Sequence, residues 1–210
     1  MSETDTAGYG WHVAAPPHSC AYLAPVVLRV LRELRARRVL DLGAGNGSLC
    51  GELADAGLDV VGVENDRHGV DIARAAYPSV PFHRHAVEDD PAALLGREAR
   101  FDAVVSTEVI EHLYTPALLA CYAHAVLVDG GHLVVTTPYH GYLKNLALSV
   151  LGRWDHHHTV LWNGGHIKFF SYATLARLLR DNGFEVVRFV GIGRLFWLWK
   201  SMLVVARKQP

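Results

Sequence analysis

The stretch Asp41-Leu42-Gly43-Ala44-Gly45-Asn46-Gly47 constrains the fold more than any other. It follows a short apolar strand, Val39 to Leu42, and precedes a helical pattern from Leu49 to Ala56. Glycines at alternate positions let the backbone turn tightly and approach a ligand closely at the carboxyl edge of a sheet. A strand, such a turn and a helix open a βαβ unit. In the dinucleotide-binding order, Gly-x-Gly-x-x-Gly, the third glycine packs the helix on the strand. Here the order is Gly-x-Gly-x-Gly, with Ser48 where that third glycine would fall and an acid, Asp41, two residues before the first glycine.

A pyrophosphate would disfavour the Asp41 carboxylate, whereas a ligand carrying an α-amino group would welcome it as a charge-assisted partner. Glu64 ends a second buried strand, Val60 to Val63, about twenty residues on, where an acid can accept hydrogen bonds from ribose hydroxyls. The two acids together point to a nucleoside joined to an amino acid, which describes S-adenosylmethionine (SAM). The plainer alternative is a βα turn with two acids nearby by chance.

The rest of the chain continues the alternation. Apolar residues from Tyr22 to Arg38 recur at helical spacing, and Gly69 to Ala76 reads as a further helix. Val80 to His83 reads as a strand, as do FDAVVSTE and GGHLVVTTP, with a helix from Ala117 to Leu127 between the last two. Strands separated by helices of this length imply parallel βαβ units in one open α/β sheet. Ser171 is a suitable N-cap for a helix ending near Asn182 and Gly183. FEVVRFVGI and SMLVVARK then follow closely enough to pair antiparallel. The 210 residues suit a single domain, with residues 1–19 as a flexible arm or lid carrying Tyr9, Trp11 and His18, and 139–170 as an insertion on the substrate side.

Composition narrows the partners. The formal net charge is −1, with acids and bases mixed along the chain, so no basic field is available to hold a nucleic acid backbone. Cys20, Cys50 and Cys121 are odd in number and widely spaced, which argues against a disulfide framework and fits a reducing cytoplasm. The acidic, polar amino terminus does not read as a secretory signal.

VLDLGAGNG, VVGVEND, FDAVVSTEVIEHLYTP and GGHLVVTTP resemble the successive motifs of class I SAM-dependent methyltransferases, in particular the ubiquinone-biosynthesis O-methyltransferase group. The resemblance covers about residues 36–190. It implies a Rossmann-like sheet in the order 3-2-1-4-5-7-6 with the last strand antiparallel, and the strands read above agree in number. It also implies that Asp41 and the backbone of Gly43, Ala44, Gly45 and Asn46 hold the methionine end of SAM. Glu64 and Asn65 would meet the ribose, Ala86, Val87 and Glu88 the adenine, and Thr107 the methyl-donor side. The group commonly carries a polar side chain where Ala86 stands, so this chain's adenine contact is expected from backbone amides.

Methyl transfer from a sulfonium is an in-line displacement that needs alignment and, for a hydroxyl acceptor, a base. Glu108, Glu111 and His112 fall on one face if their segment is helical, and could then hold a divalent metal such as Mg that acidifies the acceptor hydroxyl. The related group associates this Glu-x-x-Glu-His pattern with metal-dependent activity. The plainer reading is acids at a helix start and His112 as a base or a packed residue. The insertion adds His140, Trp154, Asp155, His156, His157, His158 and His166, suited to a planar hydroxylated acceptor with one histidine as base. Zinc held by Asp155, His158 and His166 is a further reading, unsupported by any recurring ligand spacing. YLKNLALSVLG and RLFWLWK suit a pocket wall, a homodimer contact, a peripheral membrane surface or ordinary core packing.

The expectation is therefore a SAM-dependent methyltransferase acting on a small molecule, with oxygen the favoured acceptor. Glu111, His112, His140, His158 and His166 are the candidate catalytic residues. The rivals are an N- or C-methyltransferase working by proximity, a SAM-binding partner subunit without chemistry, and an NAD-dependent dehydrogenase. The last is disfavoured by the glycine order and by Asp41.

Overall fold

The computed structural model describes residues 15, 17–158, 161, 165–193, 196 and 198–210, apart from the side chains of His156 and His157. Its order is α1 (Cys20–Glu33), β1 (Arg38–Leu42), α2 (Ser48–Asp55), β2 (Asp59–Glu64), α3 (Arg67–Ala76), β3 (Phe82–Arg84), α4 (Pro91–Leu95) and β4 (Phe101–Thr107). A single 3-10 turn, Ile110–His112, leads to α5 (Ala117–Val126), β5 (Leu127–Pro138), α6 (Tyr142–Val150), α7 (Trp154–His158), α8 (Tyr172–Asp181), β6 (Phe184–Ile192) and β7 (Ser201–Lys208).

Among the described residues the strands form one sheet in the order β3-β2-β1-β4-β5-β7-β6. β1 pairs parallel with β2 (Val39 opposite Val60) and with β4 (Val39 opposite Ala103). β7 runs antiparallel to both β5 and β6. The parallel strands are buried on both faces, which is why they read as unbroken apolar runs and not as alternation. Leu40, Leu42 and Val104 pack one way, against Leu119 and Tyr122 of α5 and Leu175 and Leu179 of α8. Val39, Ala103 and Val105 pack the other way, against Val27 and Leu31 of α1, Leu53 of α2 and Val70 of α3. Period-two side-chain direction divides one strand between two cores.

The helix starts have local causes. Asp66 caps α3 by accepting from the His68 amide at 2.9 Å. Ser171 and Thr174 form a reciprocal capping box at α8, and Gly183, at φ +83°, ends the turn after it. α4 is a helix that the hydrophobic pattern alone does not predict, although Asp90 caps it and Pro91 opens it. The 139–170 segment is not a plain loop, since it carries α6 and α7; α6 buries none of its residues. The one-face helical arrangement expected of Glu108, Glu111 and His112 is not formed. Glu108 takes a left-handed conformation at φ +55°, and the 3-10 turn starts after it. No helix of the described residues is long and apolar enough to cross a membrane.

Candidate active site

β1 and β4 are neighbours whose crossover connections leave in opposite directions, so a crevice opens beyond their carboxyl ends. A cleft of about 1280 Å³ lies there. Asp41, the loop from Gly43 to Asn46, Glu64, Asn65, the 86–88 segment and Thr107 all line it. The loop is held open by backbone bonds, with the Gly43 and Ala44 amides donating to the Val63 carbonyl at 2.8 and 2.9 Å. Gly43, at φ +89°, could not carry a side chain, because a Cβ would stand 2.4 Å from Cγ2 of Val109. That clash is why glycine is needed there, apart from any ligand.

Asp41 is 1% exposed. Its Oδ2 accepts from the Cys50 thiol at 3.2 Å, while its Oδ1 has no hydrogen-bond partner among the described residues. Burial pushes the carboxyl up to about 7, the Cys50 bond opposes this, and the Glu64 charge adds to it. A buried acid with one oxygen unsatisfied on a cleft wall is a group that a cationic ligand would complete. Glu64 accepts from the Gly45 and Asp66 amides, both at 2.8 Å, which fixes its carboxylate at the rim of the cleft. Asn46 is a brace: its side chain accepts from the Ser48 hydroxyl at 2.7 Å and donates to the Ala15 carbonyl at 2.9 Å.

At the adenine end, the Ala86 amide already donates to Asp89 at 2.8 Å. Beside it, Nδ1 of His85 meets the buried Tyr122 hydroxyl at 3.0 Å. His85 lines the cleft, as do Cys20, Leu23 and Ala24 of α1. Sequence reasoning missed these residues. Helical periodicity marked Leu23 as core, and nothing local shows that α1 crosses the mouth of the loop.

At the acceptor mouth, the main chain folds the insertion back. The Ile167 and Lys168 amides both donate to the Glu111 carbonyl, at 3.0 and 2.9 Å. His166 is thereby set edge-on to His112, with ring centroids 4.8 Å apart, and its Nε2 lies 3.9 Å from Oε1 of Glu111. Nδ1 of His112 lies 3.3 Å from the Gly165 carbonyl. A carbonyl can only accept, so Nδ1 carries a proton in this contact. Glu111 is fully buried, and burial together with the Glu108 charge raises its carboxyl well above the usual range.

Glu108 has a different environment from the one expected. It lines the cleft, but its carboxylate accepts from Thr136 at 3.0 Å and Ser201 at 3.4 Å. Burial holds it up at about 7 against those two bonds. Among the described residues the group with metal-ligand spacing is Glu111, His112 and His166, with ligand atoms within 4.8 Å of one another. His166 takes the place expected for Glu108.

His140 and His158 do not line the cleft. Their rings stack at 5.7 Å and 23°, both meet Phe169 edge-on, and Trp154 leans on His158 at 4.6 Å. Asp155 is exposed, so the zinc set of Asp155, His158 and His166 is not assembled. Of the arm, Pro17 and Ser19 line the cleft and His18 is exposed, while Tyr9 and Trp11 lie outside the described residues. Arg194, Leu195 and Trp197 of RLFWLWK also lie outside them.

A methyltransferase-domain family model matches residues 18–188. A ubiquinone biosynthesis O-methyltransferase from Bradyrhizobium diazoefficiens is 31% identical over 175 residues, 79% of this chain and 65% of its own length. Another, from Thiobacillus denitrificans, is 32% identical over 76% of this chain and 69% of its own length. The chain thus spans about two thirds of the length of the curated relatives it matches. Among solved structures, a magnesium protoporphyrin IX methyltransferase from Synechocystis with bound S-adenosylhomocysteine (SAH) has a TM-score of 0.67 at 20% identity, covering 89% of this chain and 82% of its own. A methyltransferase structure from Bacillus halodurans also scores 0.67, at 18% identity, covering 87% and 99%. These structures share the fold. Taken with the glycine loop, its two acids and the strand order, the matches show that the chain belongs to the class I SAM-dependent methyltransferases, in the group of the ubiquinone-biosynthesis O-methyltransferases.

Proposed function

We propose that the protein transfers the methyl group of SAM to a hydroxyl oxygen of a small aromatic acceptor. The observation that carries the reading is Asp41: a buried carboxyl that lines the cleft, with one oxygen unsatisfied among the described residues, which a ligand ammonium would complete. Glu64 would accept from the ribose hydroxyls. With the Ala86 amide donating to Asp89, contact with the adenine would fall to the backbone of Val87 and Glu88. When bound, SAM supplies a methyl carbon on a sulfonium, and the residues of this chain bind, align and exclude water around it.

Oxygen as acceptor is supported by the acid–histidine group at the mouth and by the names of the curated relatives. His112, whose Nδ1 meets the Gly165 carbonyl, would take the acceptor proton through Nε2. His166, kept neutral by burial and by the nearby His158 and Lys144 charges, would orient that hydroxyl. Glu111, His112 and His166 also fit a divalent cation, because each offers one ligand atom and the three lie within 4.8 Å of one another. A cation there would lower the acceptor hydroxyl's pKa.

The test is methyl transfer from labelled SAM to a panel of phenols and catechols, with and without Mg²⁺ or chelator, and product analysis by mass spectrometry. The reading expects an aryl methyl ether, with turnover lowered in His112→Ala and His166→Ala at unchanged SAM affinity. Methyl found on nitrogen or carbon, or turnover untouched in both variants, would contradict it.

A further inference from the structure

α2 places Cys50 beside Asp41, and Cys50 is not among the residues that line the cleft. Cys50 is fully buried, and its thiol donates to Oδ2 of Asp41 at 3.2 Å. The other carboxylate oxygen, Oδ1, is buried and has no hydrogen-bond partner among the described residues, and Asp41 lines the cleft. Because Cys50 sits on the helix that starts at the glycine loop, the same element that turns the loop also sets the rotation of the acid preceding it.

We propose, resting on the SAM reading above, that Cys50 is a positioning residue for the cofactor's amino-acid end. Its thiol orients the Asp41 carboxylate so that Oδ1 meets the ligand ammonium. Burial and the Asp41 charge raise the thiol well above its ordinary range, so it stays an S–H donor and does not compete as a thiolate. Cys20, on α1, is placed differently, since its thiol donates to Glu52 at 3.7 Å and it lines the cleft itself. Without the Cys50 donor, the carboxyl would be free to rotate and to keep its proton, and the ammonium would lose its oriented partner.

The experiment is calorimetric titration of wild type, Cys50→Ala and Cys50→Ser with two probes. SAH carries the α-amino group; 5′-methylthioadenosine has the same nucleoside and lacks the amino acid. The proposal expects Cys50→Ala to lose about tenfold in SAH affinity, the scale of one hydrogen bond to a charged group. 5′-Methylthioadenosine should bind as before, and Cys50→Ser, which keeps a donor, should recover SAH binding to within about threefold of wild type. Wild-type SAH affinity in Cys50→Ala would overturn the proposal. So would equal losses for both probes, which would mean a merely structural role, or a failure of the serine to rescue. Should the alanine variant not fold, Cys50→Val, which fills the space without a donor, carries the same comparison. Absence of SAH binding by wild type would instead strike the SAM reading itself.

Discussion

The two ends of the cleft are built in opposite ways. At the cofactor end the glycine loop and its two acids are fixed close together in sequence, by β1, β2 and α2: the Gly43 and Ala44 amides on Val63, the Gly45 and Asp66 amides on Glu64, and the Cys50 thiol on Asp41. At the acceptor end the residues come from positions 108–112 and from 165–168, joined across more than fifty residues by two amides on the Glu111 carbonyl. Beyond them, Tyr142 is 79% exposed and Val150 77%, on a helix that buries nothing. A site that must recognise one fixed cofactor can be rigid and local. A site for a variable acceptor sits where the chain can change without disturbing the sheet.

The largest test of that contrast is Asp41→Ala, which should lower SAM affinity by at least about 100-fold, since it removes a buried partner of a charged group. Its effect on folding should be small or favourable. Glu111→Gln should do the reverse at the other end, lowering kcat by about tenfold or more with the SAM dissociation constant unchanged. If Glu111→Gln weakens SAM instead, the two ends are not separable.

A smaller effect sharpens the electrostatics. Asp41 and Glu108, ordinarily carboxyls of pKa 3.8 and 4.5, are each pushed up to about 7 by burial. Between about pH 4 and 7 the folded state therefore holds protons that the unfolded chain has released, and ligand-free stability falls as pH rises through that window. His132, His158 and His166, whose pKa values burial lowers, act in the opposite sense, so the comparison is with the Asp41→Asn, Glu108→Gln double variant. From pH 5.5 to 7.5 wild type should lose about 4 °C or more of ligand-free Tm relative to that variant, and saturating SAM should raise wild-type Tm more at pH 7.5 than at pH 5.5. Equal pH dependence in the two proteins would refute the buried-acid assignment. The smallest effect belongs to α6, where Val150→Ser should shift stability by no more than about 0.5 kcal/mol.

The same division explains what could be read from the chain before its structure. The strands were legible because parallel strands buried on both faces leave unbroken apolar runs ended by glycine or acid. The place of Asp41 and Glu64 on the cleft was legible from their spacing to the loop. The start of β5 at Leu127 was hidden by the Gly130-Gly131 pair; Gly130 sits at φ +72°, inside the strand and not at its beginning. Glu108 was misplaced because helical spacing assumes right-handed φ throughout, and its φ of +55° turns its carboxylate to Thr136 and Ser201. His166 could not be joined to Glu111 from local pattern, since only tertiary hydrogen bonds bring them together. His140 and His158 had the right chemistry, but aromatic packing with Trp154 and Phe169 holds them in a stack outside the cleft lining.

The central claim is that the cleft beside β1 takes a nucleoside bearing an amino acid. Its most direct test is a calorimetric titration of the wild-type protein with SAM and, in parallel, with NAD. The account predicts saturable, one-to-one, roughly micromolar binding of SAM, worth about 8 kcal/mol, and no heat of binding for NAD. Well-folded protein that binds NAD and ignores SAM would contradict it.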